Sequence, residues 1–176
     1  DIQVITPMRK GNLGANAFQG CYRLTSCSLG SSLKAINSYT FYGCTNLKEI
    51  TIPDSVSLIG QCAFYNCEYL KTARIGSGVR SIGISAFANC RILESASLNS
   101  GLVSIGKGAF GCTGIKSVSI PDSVTSIGAH AFSYCRSLST VTIGKGLTKI
   151  GERTFQYTNI SELIIPDNVQ YIYDAA

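Results

Sequence analysis

Tryptophan is absent from this 176-residue sequence, methionine and histidine occur once each, and proline occurs four times. Charge is also scarce. Only 14% of residues are Asp, Glu, Lys or Arg, against about 25% in an average globular domain. With 45% hydrophobic residues and a mean hydropathy of +0.20, the chain is too apolar to be disordered. Its surface must therefore be built largely from Ser, Thr, Asn and Tyr. No stretch approaches the ~18 consecutive apolar residues of a membrane-spanning helix, so no membrane insertion is expected. Asp1-Ile2-Gln3-Val4 has neither the basic head nor the apolar core of a signal peptide. The net charge is +5, but the longest basic run is Arg9-Lys10. A scattered excess of this kind reads as solvated faces and argues against nucleic acid as a partner.

The equipment of an enzyme is missing too. His130 is the single histidine, and its place in a variable turn reads as an exposed residue rather than a base. There is no phosphate-cradling glycine loop, no Gly-x-Ser-x-Gly elbow and no His-Glu-x-x-His. A zinc site needs about four converging ligands, and the sequence has no Cys-x-x-Cys to start one. Neither catalysis nor a metal or other cofactor is expected.

What is present is a repeat. Phe falls at 18, 41, 64, 87, 110, 132 and 155, a step of 23 residues with one step of 22. Five residues before each stands Leu13, Ile36, Ile59, Ile82, Ile105, Ile127 or Ile150, and Gly follows all but Ile36. Ala or Thr precedes each Phe. Cys follows three later at Cys21, Cys44, Cys67, Cys90 and Cys135, and two later at Cys112; Thr158 stands there in the last repeat. The spacing places the missing residue of the short step between Phe110 and Cys112. Next comes a strand pattern, as in Leu47-x-x-Ile50-x-Ile52, Ile115-x-x-Val118-x-Ile120 and Ile160-x-x-Leu163-x-Ile165. Its alternation is that of a half-buried strand, and Pro53, Gly76, Pro121, Gly144 and Pro166 end it.

A unit of 23 residues holds one strand, turns and a short extended or 3-10 back segment. No such unit buries its own apolar face, so the units must stack, with strands paired in parallel about 4.8 Å apart. The Phe column then forms an aromatic spine on the convex side. The whole chain, residues 1–176, reads as one array of about seven coils of 22–23 residues. Residues 1–17 form a degenerate first coil in which Pro7 stands eleven before Phe18. The array reads as a piece of a longer one, and its uncapped ends predict end-to-end self-association.

The string Leu-x-x-Ile-x-Ile-Pro-x-x-Val-x-x-Ile-Gly-x-x-Ala-Phe-x-x-Cys-x-x-Leu, clearest over residues 47–70, 115–138 and 138–160, resembles the BspA-like (treponemal-type) leucine-rich repeat. The resemblance covers essentially the whole chain. It implies a β-rich, right-handed solenoid with a parallel β-sheet on the concave face. It also implies surface-exposed or secreted proteins of bacteria and some protozoa, several of them adhesins. The asparagine ladder of commoner leucine-rich repeats is missing; Ser55, Ser123 and Asn168 stand near its place.

Six of the eight cysteines make the ladder, Cys27 takes a strand core position, and Cys62 sits in a convex turn. A residue repeated once per coil suits a small buried filler; disulfides remain the alternative in a secreted chain. The candidate partner-binding surface is the concave face. Its outward columns hold Glu49, Thr72, Ser95, Ser117 and Thr140, and beside them Thr51, Arg74, Ser97, Ser119 and Thr142; Lys48 and Lys71 flank them. Tyr22, Tyr39, Tyr42, Tyr65, Tyr134 and Tyr157 form a rival convex surface. The expected function is a non-enzymatic binding module, a cell-surface or secreted adhesion protein. Its partner would be a protein or glycan, host extracellular matrix and plasma proteins among them. The alternative is a structural or cytoplasmic interaction scaffold.

Overall fold

The structure, a computed structural model, describes residues 3–5 and 11–176. Pro7 and the other remaining residues of the expected first coil lie outside that range. No helix occurs among the described residues. The strands form two parallel stacks, each in two segments. The concave one pairs Gln3–Ile5, Ser26–Ser28, Glu49–Ile52, Thr72–Ile75 and Ser95–Ala96 in that order, and continues as Ser117–Ile120 on Thr140–Ile143. The back ladder stacks Gly11–Leu13, Leu33–Ile36, Leu58–Ile59, Ser81–Ile82, Ser104–Ile105 and Ser126–Ile127, with Lys149–Ile150 on Tyr171–Ile172 beyond them. The back segments are thus short strands. The convex corners between them and the cysteine ladder are hydrogen-bonded turns.

Register follows the repeat. Ile50 pairs with Ala73 and Ile52 with Ile75, while Val118 pairs with Val141 and Ile120 with Ile143. Equivalent apolar residues therefore lie over one another, and each coil closes the core of the last. The phenylalanines form one continuous stack from Phe18 to Phe155, with ring centroids 5.0–5.8 Å apart and planes within 14° of parallel. Phe41, Phe64, Phe87, Phe110 and Phe132 are fully buried, each contributing about 2–3 kcal/mol over an exposed ring. Backbone bonds tie the turns together too: the amides of Phe41, Phe64 and Phe87 donate to the carbonyls of Ala63, Ala86 and Ala109, all at 2.7 Å.

The glycine after each back strand is a close-packing device. A Cβ on Gly60, Gly83 or Gly106 would lie 2.5–2.6 Å from the backbone of the preceding coil. Two residues before each Phe, the chain turns through left-handed backbone, with φ of 51–63° at Asn16, Tyr39, Cys62, Ser85, His130 and Arg153. A second such corner lies two residues after Phe, at Asn66, Asn89, Cys112, Tyr134 and Tyr157, with φ near 60°. His130 is half-buried at its corner rather than freely exposed.

Three expectations need correction. Cys112 is exposed at a left-handed corner and off the thiol ladder. Thr113 takes the ladder place: it is buried, and its hydroxyl donates to the Phe110 carbonyl at 2.8 Å. The missing residue therefore lies between Thr113 and Ile115, where Thr113-Gly114-Ile115 replaces Cys-x-x-Leu. Thr158-Asn159-Ile160 repeats that shortening, and Thr158 makes the same bond to Phe155 at 2.8 Å. The concave ladder breaks next to the first of these short turns, leaving Ser97 and Leu98 outside it. Finally, residues 160–165 run past Thr140–Ile143 without forming a strand, and Leu163 and Ile165 are only half-buried.

Substituting Phe87→Ala should cost about 3–5 kcal/mol in urea unfolding followed by circular dichroism, because a ring stacked on both sides is lost from a filled core. Gly83→Ala should cost about 1–3 kcal/mol by overpacking. Gly14→Ala, at a site with nothing within 4 Å of the new methyl, should stay within about 0.5 kcal/mol.

Candidate functional site

Alternation along the concave strands sorts side chains by face. Ile50, Ile52, Ala73, Ile75, Val118, Ile120, Val141 and Ile143 point into the core and are buried. Between them Glu49, Thr51, Arg74, Ser95, Ser97, Ser117, Ser119, Thr140 and Thr142 are exposed, and Thr72 is half-buried. Pairing brings Glu49 beside Thr72, Thr51 beside Arg74, Ser117 beside Thr140 and Ser119 beside Thr142. The outward side chains are thus neighbouring rungs within each of the two segments of the ladder. A shallow depression runs across Ser26, Ser28, Glu49, Thr51 and Arg74. A second lies between Thr140–Ile143 and the unpaired segment that follows, lined by Thr142, Glu162 and Ile164.

The flanking column is partly tied up. Glu94 bridges Lys71 at 3.8 Å and Lys116 at 3.5 Å, exposed pairs worth little stability. Lys48 is exposed and takes part in no ion pair among the described residues.

The rival tyrosine surface divides. Tyr42 and Tyr65 stack on each other at 5.1 Å and are half-buried, with Tyr39 against Tyr42. Tyr22, Tyr134 and Tyr157 stay exposed, the last two in contact at 4.5 Å. Tyr69 is equally exposed at 57%; the repeat register could have revealed it, because Asn46 and Ile92 hold its place in neighbouring coils.

The turns that leave the concave strands carry coil-to-coil bonds. The carboxylates of Asp54 and Asp122 accept from the amides of Ser77 and Lys145, one coil on, each at 2.7 Å. The bond from the Ser77 amide holds the Asp54 carboxyl below its ordinary range. Ser55 and Ser123 donate to the carbonyls of Leu33 and Leu102 at 2.6 Å, and Asn168 donates to that of Leu147. These residues do the work of an asparagine ladder by another route.

All eight cysteines are free thiols. Cys44, Cys67, Cys90 and Cys135 donate to the Phe carbonyl of the preceding coil at 3.0–3.2 Å. Cys21, the first rung, is exposed. Burial pushes Cys27 up to about 11 and Cys44 to about 12 from an ordinary 9.0. The bond with the Cys90 thiol, together with burial, drives Cys67 up as well. Such thiols stay protonated and inert. Among the described residues no three His, Cys, Asp or Glu side chains gather as a metal site would require.

A family model of the BspA type leucine rich repeat region matches in six copies over residues 11–121 and 104–176. The chain belongs to that family. The chain is similar to the leucine rich repeat protein of T. pallidum, 27% identical over 86% of this chain and 70% of that one, with a TM-score of 0.74. A leucine rich cell surface protein of Faecalibacterium prausnitzii is 32% identical, with a TM-score of 0.70; the match covers 89% of this chain and 38% of that protein. A leucine-rich repeat protein of Eubacterium ventriosum, 17% identical with a TM-score of 0.60, shares the fold. No curated protein matches the chain. Membership of this repeat family suggests a protein-interaction module, in a family that is generally non-enzymatic.

A thiol reagent at pH 8 should label Cys21 and Cys112 first and Cys62 more slowly, and should reach Cys44, Cys67, Cys90 and Cys135 only on unfolding; mass spectrometry of the labelled chain checks this. Because the buried thiols titrate higher folded than unfolded, the stability they lend is whole below pH ~9 and is lost as pH rises toward 11–12. The thermal midpoint should therefore fall between pH 8.5 and 11, and the fall should shrink in Cys44→Ala.

Proposed function

We propose that this chain is a recognition module of a cell-surface or secreted adhesion protein, and that its concave sheet is the docking face. The supporting observation is the run of outward hydroxyls from Ser26 to Thr142, most of them exposed, in register within each segment of the ladder and interrupted centrally by only Glu49 and Arg74. A flat hydroxyl surface offers donors and acceptors at every rung without the desolvation cost of charge. It suits an extended partner, a segment of a protein or a glycan, laid along the solenoid axis. The surface location is supported by the Faecalibacterium relative, described as a cell surface protein. Host matrix and plasma proteins are the partners to try.

The test is biolayer interferometry of the purified array against immobilised matrix and plasma proteins. Arg74→Glu and Lys48→Glu, combined, should weaken any specific complex at least tenfold, since both side chains border the hydroxyl columns. A complex indifferent to both changes would move the docking face to the exposed tyrosines, and no complex at all would count against a binding role for the isolated array.

A further inference from the structure

The basic residues look scattered in linear order, but the coil register gathers them. The turns that climb from the thiol ladder to the concave strands carry Arg23, Lys48, Lys71, Arg91, Lys116 and Arg136 against Glu68 and Glu94, a balance of +4. The opposite edge, where the chain leaves the concave sheet and enters the back strands, carries Lys34, Arg80 and Lys145 against Asp54, Asp122 and Asp167, which sums to zero. Most of the net charge of +5 thus lies along one edge of the solenoid.

On that edge the regular surface is interrupted by a notch at the first of the two shortened turns. The short turn Thr113-Gly114-Ile115 lacks one residue of its neighbours, and an open depression of about 380 Å³ lies over it. Gly114 lies on its floor and admits no side chain, because a Cβ there would meet the Arg91 carbonyl oxygen at 2.7 Å. Arg91 and Arg136 stand on the coils to either side, two coil spacings or ~10 Å apart along the axis. Both are exposed, and neither takes part in an ion pair among the described residues. Ser137 and the exposed ring of Tyr134, braced by Tyr157, complete the wall. The depression has the size of a small-ligand cleft (~300–1,000 Å³). It combines two unpaired guanidinium forks, suited to planar oxyanions, with an amphipathic ring on which the apolar face of a sugar can lie.

We infer that the Arg91–Gly114–Arg136 notch binds an acidic sugar residue of a sulfated or carboxylated glycan, whose flanking units follow the basic edge. The spacing of the cations argues against nucleic acid. Duplex DNA presents a charge about every 1.7 Å of axis, whereas the notch supplies one arginine on either side of the uncharged turn Thr113-Gly114-Ile115 and Glu68 and Glu94 interrupt the edge. The inference deepens the binding-module reading by naming a partner class at a second surface, and it does not depend on the concave hydroxyls.

Isothermal titration of the whole chain at physiological salt, with a size-defined heparin oligosaccharide, its desulfated and N-acetylated counterpart, and a single-stranded oligonucleotide of matched charge, tests it. Arg91→Ala with Arg136→Ala should weaken the sulfated sugar at least tenfold, while Arg80→Ala with Lys145→Ala, the same charge loss on the other edge, should change it less than twofold. Tyr134→Ala should weaken it about threefold, and Arg74→Glu on the concave face should leave it unaltered. The inference is overturned by no measurable binding of the sulfated sugar, by equal losses in the two double variants, or by an oligonucleotide that binds as tightly. A loss of binding in Arg74→Glu matching that of the notch variant would transfer the sugar to the concave face and overturn it as well.

Discussion

Every coil depends on the coil beside it. A concave strand and a back strand of two to four residues each, with a few turns, enclose no interior of their own. The interior exists only between coils, where phenylalanine lies on phenylalanine and isoleucine on isoleucine. Backbone bonds, thiol-to-carbonyl bonds and serine-to-carbonyl bonds all reach across one repeat. Stability is therefore a sum over interfaces between neighbours rather than a property of one central core.

The same dependence dictates the surface. Parallel pairing places equivalent repeat positions side by side, so chemistry appears in columns: hydroxyls across the concave sheet, cations up one edge, half-stacked tyrosines on the convex corners. Departures from the repeat give a single coil local character. The shortened turn at Thr113-Gly114-Ile115 is such a departure, and it coincides with the break in the concave ladder and with a notch that two arginines overlook.

Much of the fold was legible in the order of residues, because burial leaves a periodic signature. The Phe and Ile steps located the spine and the back strands, and alternation located the outward columns from Glu49 to Thr142. The placement of Cys112 failed for a chemical reason: a threonine hydroxyl satisfies a Phe carbonyl as well as a thiol does, so Thr113 could take the ladder position while the cysteine beside it drew the eye. Most of the left-handed corners were invisible because Asn, Tyr, Cys, Ser, His and Arg fill them; glycine, which would have announced them, stands only at Gly20, Gly43 and Gly108 among the described residues. The strand expected at residues 160–165 has the right alternation but follows the second shortened turn, and it does not join the ladder. Sequence order also hides the gathering of cations along one edge, which the repeat register reveals. The partner was least legible, since a position that only faces solvent is under no constraint from packing.

The hydrogen bonds of both ladders run along the stacking axis of the array. A load along that axis opens the coils in succession, from an end, like links paid out one after another. Each coil released lengthens the chain by about 80 Å, at ~3.5 Å for each of some 23 residues, while the coils still stacked keep their columns intact. A protein built this way yields to tension by shortening its folded part and goes on presenting the same surface chemistry on what remains.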